Sequence, residues 1–267
     1  MDNSMQIALI QSNLYWNDVE KNLHHFNQLF EKIKPKTAIV VLPEMFSTAF
    51  TVNTLQGKRP LGHRALQWMQ TQATALQKIV VGSVLFEENR QYFNRLFWVY
   101  PDGSFEHYDK VHLFQMGKEH QYITAGTKRV IVTYKGIRFL LQVCYDLRFP
   151  VASRNRYDAL TNQYDYDVIL YVANWPEIRK QAYLKLLQAR AIENQAYVIW
   201  VNRVGVDHHK QPHTGDTMLL SPTGEILVQA PASKQKIIYA DIDPNVLQTV
   251  RNHFKVGLDW DSFSLDF

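Results

Sequence analysis

The stretch AIVVLPE, residues 38–44, begins as an uninterrupted apolar run and ends in a carboxylate, that of Glu44. A second stretch, VILYV at 168–172, is apolar at every position as well. Strands that alternate apolar and polar residues have one face in water, whereas strands that are apolar throughout are usually buried on both faces. These two stretches therefore predict a sheet whose faces are both covered.

The segments around these runs alternate between strand-like and helix-like patterns. Residues 6–11 form an apolar run, and residues 18–34 carry apolar side chains at steps of three and four, which indicates a strand followed by a helix. Turn-forming sequences at 101–104 and 221–224 predict hairpin connections. Further helices are expected at 62–77 and 176–195, and further strands at 78–86, 92–100, 136–145, 167–172, 196–204, 217–220 and 236–242. The pattern is typical of an α/β fold.

Length and composition are those of an ordinary globular protein. With 267 residues, 46% of them hydrophobic and 20% charged, residues 1–267 are expected to form one domain with a large core. The net charge of +4 comes from scattered Lys and Arg, so nucleic acid is not an expected partner. No apolar run approaches the roughly 18 residues that span a bilayer, and the start at 1–4 has no signal-peptide pattern, which predicts a soluble protein with no membrane partner.

Cys144 is the only cysteine of the chain. A single cysteine cannot form an internal disulfide, so the fold needs no oxidising compartment. We therefore expect a cytoplasmic protein whose thiol stays reduced and available for chemistry.

Three residues with complementary chemistry follow predicted strands, and in open α/β sheets ligands bind beyond the carboxyl ends of the strands. Glu44 follows the run at 38–43, Cys144 follows the run at 137–143, and Lys110 follows a β-rich run and a hairpin. Taken singly, each has an ordinary explanation as a turn residue, a small buried hydrophobe or a surface cation. Together they supply the carboxylate base, the thiol and the cation that nucleophilic cleavage of an amide requires.

The segments that contain these residues resemble the three signature segments of the nitrilase, or carbon–nitrogen hydrolase, superfamily, and they occur in that family's order. They are LPEMF at 42–46, YDKVHL at 108–113 and VCYDLRFP at 143–150. The segment 117–126 also resembles the family segment that carries a second active-site glutamate, which makes Glu119 a fourth candidate. The resemblance extends over nearly the whole chain.

Two later segments are similar to one branch of this superfamily, the ω-amidases of the 2-oxoglutaramate type. They are YVANWP at 171–176 and LQARAIENQAYV at 187–198. Members of the branch act on the terminal amide of short dicarboxylic monoamides, so the resemblance implies a small-molecule amide as the substrate. The same residues would suit a helix packed on a sheet, and they support the fold more strongly than the substrate.

The resemblance also implies a four-layer αββα sandwich, a homodimer, and a reaction that uses neither a metal ion nor an organic cofactor. Glu44 is expected to transfer protons and Cys144 to act as the nucleophile. Lys110 and the backbone N–H of Tyr145 are expected to hold the oxyanion, while Glu119 orients Lys110 or the substrate. A C-terminal tail at 252–267, rich in Phe and Trp, either packs across a partner subunit or folds back on its own domain.

Binding of a substrate carboxylate requires a cation or several N–H donors, and three arginines lie near predicted strand ends. Arg148, Arg179 and Arg203 remain alternatives at this stage, and Arg148 is favoured as an ion-pair partner of Asp146 or of another neighbour. Trp175 follows a predicted buried strand and either lines the pocket or belongs to the core.

Other interpretations of the sequence concern a metal site, other substrates and a non-catalytic role. His208, His209 and His213 suggest a metal site, but their spacing is not diagnostic and a polar loop before a strand explains them better. Within the superfamily, the alternatives are hydrolysis of a carbamoyl group or of a deaminated peptide such as deaminated glutathione. From another class, the chain could be a non-catalytic binding protein or use Cys144 as a redox switch.

Overall fold

The computed structural model describes residues 4–52 and 61–266, so the predicted polar start at 1–3 and the last residue of the tail lie outside it. The strands are β1 (Met5–Gln11), β2 (Ile39–Val41), β3 (Ile79–Glu88), β4 (Gln91–Val99), β5 (Phe105–Asp109), β6 (Ile131–Tyr134), β7 (Ile137–Val143), β8 (Tyr157–Asp158), β9 (Gln163–Tyr164), β10 (Val168–Ala173), β11 (Tyr197–Asn202), β12 (Val204–Val206), β13 (Pro212–Thr214), β14 (Met218–Leu220), β15 (Ile226–Gln229) and β16 (Lys236–Ile242). The helices are α1 (Val19–Phe30), α2 (Leu61–Leu76), α3 (Pro150–Ser153), α4 (Lys180–Asn194) and α5 (Pro244–His253). None of the described helices is long and apolar enough to cross a membrane.

The described strands form two six-stranded sheets. The first has the order β16-β1-β2-β3-β4-β5, and the second has the order β15-β14-β11-β10-β7-β6. The strands β1, β2 and β3 are parallel to one another, as are β7, β10 and β11, and antiparallel strands flank both groups. The carboxyl ends of the parallel strands therefore meet at one edge of each sheet.

Successive side chains of a strand point to opposite faces of its sheet, which explains the layers. In β1, Ile7 and Leu9 belong to the core between the two sheets, whereas Ala8 and Ile10 pack with α1 and α2 on the outer face. The second sheet packs its outer face against α4, which contributes Tyr183 to the same core as the sheet strands. The resulting order of layers is helix, sheet, sheet, helix, so the predicted αββα sandwich is confirmed.

Several element boundaries differ from those predicted. The helix predicted at 18–34 ends at Phe30, because the Lys32 and Ile33 N–H groups donate to carbonyls three residues back, at 3.0 and 3.1 Å, and the chain tightens into turns before Pro35. The strand predicted at 196–204 divides into β11 and β12, because the Asn202 side chain accepts the Arg203 N–H at 3.0 Å at the break.

Helix α5 was not predicted from the sequence, in which residues 243–251 follow the last predicted strand and precede the predicted tail. Its start carries a recognisable signal: Asp243 caps it by accepting the Asn245 N–H at 2.9 Å, and Pro244 occupies the first helical position. The first two residues of the predicted tail, 252 and 253, belong to this helix.

The rest of the tail lies against its own chain. Trp260 packs edge-on to Tyr164 with ring centroids 5.7 Å apart, and the Arg154 guanidinium lies 4.7 Å from the Trp260 ring. Farther along, Arg156 lies 4.7 Å from the ring of Phe263. These contacts attach the tail to the loop after α3 and to the β8–β9 hairpin.

Candidate active site

Four of the predicted residues meet in one buried cluster. The Lys110 Nζ lies 3.0 Å from Glu44 Oε1 and 2.9 Å from Glu119 Oε2, and all three side chains are inaccessible to solvent. Cys144 is 9% exposed and lines the same cavity as Glu44 and Lys110. The cavity has a volume of about 200 Å³. The structure thus brings together a thiol, two carboxylates and an ammonium group.

Each sheet contributes its part from a carboxyl strand end. Glu44 lies just beyond β2, and its backbone N–H donates to the Ala173 carbonyl of the other sheet at 3.3 Å. Cys144 directly follows β7 and adopts a φ of +47°, a left-handed conformation that is strained for any residue with a Cβ. A 3₁₀ helix, Cys144–Arg148, begins at this bend. The N–H groups of its first turn, including that of Tyr145, have no acceptor within the helix, as an oxyanion donor requires.

Asp146 holds the bend in place. Its Oδ2 accepts the Val143 N–H and the Tyr108 hydroxyl, both at 2.8 Å, and its Oδ1 accepts the His112 N–H at 3.1 Å. Tyr108 and His112 flank Lys110, so one buried carboxylate ties the cysteine bend to the lysine segment.

The lysine segment is fixed by its backbone. The Lys110 N–H donates to the Asn94 carbonyl at 3.0 Å, and the Lys110 carbonyl accepts the Gly126 N–H at 2.9 Å. A Cβ on Gly126 would collide with the Asp109 carbonyl, which explains a glycine at this position. Glu119 starts a short 3₁₀ helix, Glu119–Gln121, and its Oε2 also accepts the Phe114 N–H at 2.7 Å.

The electrostatics of the cluster favour a protonated thiol beside a protonated lysine. Burial and, after it, the Glu44 carboxylate raise the pKa of Cys144 well above its ordinary value, while Lys110 acts in the opposite direction. Burial acts to lower the pKa of Lys110, but the carboxylates of Glu119 and Glu44 outweigh it and raise that pKa. The cluster can therefore supply a nucleophile only if the thiol proton moves to a base.

Two asparagines that the sequence analysis did not single out complete the environment of Glu44. The Asn94 Nδ2 donates to Glu44 Oε1 at 2.8 Å, and the Asn174 N–H donates to Glu44 Oε2 at 2.8 Å. Asn94 lies in β4 and is fully buried. Asparagine is depleted in strands, so an asparagine at the start of the strand-like run NRLFWV is a signal in the sequence that could have identified it.

The pocket wall contains two arginines that form no ion pair with any described residue. The Arg148 guanidinium lies 5.0 Å from the ring of Trp175, and the Arg179 guanidinium lies 5.1 Å from the ring of Phe114. Both line the cavity with Cys144, as does Trp175, which is 3% exposed. The ion pair favoured for Arg148, with Asp146 or another neighbour, is not formed with any described residue; Asp146 bonds to His112, Tyr108 and Val143 instead.

Arg203 serves the framework of the pocket. Its Nε donates to the Val204 carbonyl at 3.1 Å, and its Nη2 donates to Asn13 Oδ1 at 3.0 Å. Burial lowers the pKa of Arg203 to about 10. These bonds hold the β12–β13 hairpin against the loop that follows β1.

Two histidines of that hairpin, His209 and His213, form part of the pocket wall. His208 stacks on Trp16 with ring centroids 4.5 Å apart, and His209 and His213 line the cavity. Within residues 4–52 and 61–266 there is no group of three His, Cys, Asp or Glu side chains that could hold a metal ion. Burial, with a contribution from the nearby Arg203, lowers the pKa of His213 to about 4. Sequence analysis predicted a loop here but not its place at the pocket.

The αββα sandwich and the Glu–Lys–Cys cluster at its strand ends together define the class of carbon–nitrogen hydrolases. The model of the family "Carbon-nitrogen hydrolase" matches residues 6–252. An ω-amidase, YafV, from Yersinia enterocolitica is 40% identical over 98% of this chain and 99% of its own, and a 2-oxoglutaramate amidase from Bacillus subtilis is 28% identical over 94% and 95%. Among solved structures, XC1258 from Xanthomonas campestris, a CN-hydrolase superfamily protein with an arsenic adduct in its active site, superposes with a TM-score of 0.94 and 38% identity over 98% of this chain and 99% of its own.

The chain belongs to the carbon–nitrogen hydrolase family, and it is an amidohydrolase.

Proposed function

We propose that the protein hydrolyses the terminal amide of short monoamides of dicarboxylic acids, with 2-oxoglutaramate as the representative substrate. The observation that carries the proposal is the presence, in one cavity, of Cys144, Glu44 and Lys110 together with two arginines that have no acidic partner among the described residues. The similarity to ω-amidases and to a 2-oxoglutaramate amidase supports the same substrate class.

The reaction begins with transfer of the Cys144 thiol proton to Glu44. Glu44 Oε1 already accepts hydrogen bonds from Lys110 and Asn94, whereas Oε2 accepts one from Asn174, so Oε2 has the lone pair that takes the proton. The sulfur attacks the amide carbon, and the carbonyl electrons move to the oxygen. Lys110 and the N–H of Tyr145 stabilise this oxyanion.

Collapse of the tetrahedral adduct breaks the C–N bond, and Glu44 returns its proton to the nitrogen, which leaves as ammonia. A thioester on Cys144 remains. Glu44 then takes a proton from a water molecule, whose oxygen attacks the thioester carbon. The carboxylic acid is released, and the sulfur recovers its proton from Glu44. Every step uses side chains of this cluster, with Glu119 orienting Lys110.

The substrate carboxylate is assigned to the two cationic groups of the pocket wall. Guanidinium groups bind carboxylates through paired, charge-assisted hydrogen bonds. Arg148 and Arg179 are partly exposed and line the cavity. Each guanidinium lies over an aromatic ring, at 5.0 and 5.1 Å from the ring centroid, and its N–H donors form no ion pair with a described acid.

Hydrolysis of 2-oxoglutaramate, deaminated glutathione, an N-carbamoyl amino acid and neutral propionamide tests the proposal. Ammonia release follows the reaction of every substrate except deaminated glutathione, whose cleavage frees a dipeptide that mass spectrometry detects. We expect the highest kcat/KM for 2-oxoglutaramate and no release by Cys144→Ala. Arg148→Met and Arg179→Met should raise KM for 2-oxoglutaramate by at least about tenfold and leave KM for propionamide unchanged. The control is Arg64→Met, which removes an exposed ion pair and should change neither value. A preference for the carbamoyl or the deaminated-peptide substrate would contradict the substrate class, and an active Cys144→Ala would contradict the mechanism.

A homodimer and a cytoplasmic location complete the proposal. The apolar side chains of Val151 in α3 and Ile192 in α4 are 57% and 56% exposed, and burial of such side chains would favour association. Light scattering should give about twice the 31.2 kDa of one chain. The lone catalytic thiol favours a reducing compartment, and cell fractionation that placed the enzyme outside the cytoplasm would contradict that location.

A further inference from the structure

Asn94 bonds to both carboxylates of the catalytic cluster through its side chain and to the backbone of Lys110 through its carbonyl. Its Nδ2 donates to Glu44 Oε1 at 2.8 Å and to Glu119 Oε1 at 3.1 Å, so each carboxylate receives one hydrogen bond from the same amide. Its backbone carbonyl accepts the Lys110 N–H at 3.0 Å. The side chain is fully buried in β4, between the two carboxylates that also bind Lys110.

The orientation of this amide is fixed by charge. The Asn94 Oδ1 is buried and has no hydrogen-bond partner among the described residues. Turning the amide over would place this oxygen against two carboxylates and lose both hydrogen bonds. A buried acceptor without a partner costs free energy, and the arrangement persists because the two charge-assisted bonds outweigh that cost.

The amide also compensates for an imbalance of charge. Glu44, Glu119 and Lys110 bring two carboxylates and one ammonium group together as fully buried side chains. A neutral donor shared by both carboxylates stabilises them without adding a second cation, which would neutralise the base. It also occupies a lone pair of Glu44 Oε1, so that the proton from Cys144 is directed to Oε2.

We propose that Asn94 is a positioning residue that fixes Glu44 and Glu119 around Lys110 and thereby directs proton transfer from Cys144 to Glu44 Oε2. The inference rests on the proposed function for its catalytic meaning, but its geometric content can be tested on the thiol alone. Because Cys144 is the only cysteine, alkylation by iodoacetamide reports on this thiol and on no other.

The experiment measures the rate of Cys144 alkylation from about pH 5.5 to 9, around the ordinary pKa of a thiol, in the wild type, Asn94→Ala and Asn94→Asp. Asn94→Ala removes both bonds that hold the two carboxylates, so Glu44 is no longer held where it can accept the Cys144 proton. Alkylation of the thiol should therefore slow at least about tenfold near neutral pH. Asn94→Asp keeps the shape of the side chain, but it donates a hydrogen bond only while it is protonated. Its rate relative to the wild type should therefore be highest at acid pH and fall as the pH rises, which a mere packing role would not produce.

Asn155→Ala is the matched control, since Asn155 is equally buried and bonds to the Tyr166 and Asn194 carbonyls away from the cavity. It should lower the melting temperature without changing the alkylation profile. If both Asn94 variants are alkylated at the wild-type rate, the positioning role is overturned, regardless of how fast the variants hydrolyse an amide. Altered alkylation in these variants, together with no ammonia release by the wild type from any carboxamide, would overturn the proposed function and support the role of Asn94.

Discussion

Burial and a neighbouring carboxylate both keep the proton on Cys144, although the thiolate is the reactive form. Many reactive cysteines are activated by a lowered pKa; here the environment raises the pKa, so the proposed attack by Cys144 requires proton transfer to a base. Glu44 is in place as the acceptor, because its other hydrogen bonds leave a position on Oε2. Lys110 is occupied by two carboxylates and remains charged, which suits it to stabilise an oxyanion.

Replacing Glu44 by Gln should therefore impair formation and hydrolysis of the thioester alike. Glutamine has the shape of glutamate but cannot accept the thiol proton, and loss of a general base typically costs about 10²–10⁴-fold in rate. Pre-steady-state measurement of both steps checks this, with Glu31→Gln at the exposed end of α1 as the control. A Glu44→Gln enzyme that acylates at the normal rate and stalls only at the thioester would contradict the shared role.

His213 should make the protein less stable in acid. The folded state holds its pKa at about 4, mainly through burial, against an ordinary value of 6.5. Between about pH 6.5 and about pH 4, His213 is protonated in the unfolded chain but not in the folded chain. Its contribution to the free energy of unfolding is therefore complete above about pH 6.5 and falls as the pH drops towards about 4. The slope approaches about 1.4 kcal/mol per pH unit.

Urea titrations at a series of pH values measure this dependence as the free energy of unfolding. His213→Gln should flatten the acid side of the curve, whereas His24→Gln, at an exposed position of α1, should follow the wild type. An unchanged slope in His213→Gln would show that other groups cause the acid loss.

At the scale of elements, the amino end of β10 serves stability and its carboxyl end serves the site. Asp167, just before the strand, accepts the Arg251 Nη1 at 2.7 Å and the Arg138 Nη2 at 2.8 Å, which ties α5 to the second sheet. Asn174, just after the strand, binds Glu44. The two ends are separated by the whole length of the strand.

Arg251→Ala should therefore lower stability and spare catalysis. The change removes three bonds, those to Asp167, the Gln195 carbonyl and the Tyr166 carbonyl. Asp167 keeps its ion pair with Arg138, so the cost should stay below the roughly 3–5 kcal/mol of a buried ion left without a partner. Thermal unfolding and kcat/KM at low temperature measure the two effects. Arg64→Ala, which breaks an exposed pair with Glu20, should change stability by less than about 1 kcal/mol. A loss of kcat/KM in a folded Arg251→Ala protein would refute the separation.

The strands that position the site could be predicted because each is a short apolar run, as at β2, β7 and β10, and because the chemical residues directly follow them. The division of the predicted strand 196–204 at Arg203 could not be predicted. It depends on the Asn202 side chain, which bonds to Trp175 and Gly215 in distant segments. For the same reason the role of Asn94 was not visible: its partners, Glu44 and Glu119, are brought to it by the sheet and by a loop.

In the molecule as a whole, the site exists only when both sheets are in contact. The first sheet supplies Glu44, Asn94 and the Lys110 segment, and the second supplies Cys144 and Asn174. The core between the sheets contains strand residues from both, so packing and assembly of the site are one event. Three of these residues, Glu44, Lys110 and Cys144, could be identified from sequence motifs. Only the fold shows that the carboxyl ends of strands from both sheets face a common cavity.

The central claim is that a thioester forms on Cys144, and rapid-quench mass spectrometry during turnover of 2-oxoglutaramate tests it most directly. The account predicts an adduct with the mass of the substrate less ammonia on the peptide that contains Cys144, at full turnover and in the presence of a metal chelator, and no adduct and no turnover in Cys144→Ala. Steady ammonia release with no adduct on that peptide, or turnover by the Cys144→Ala protein, would contradict it.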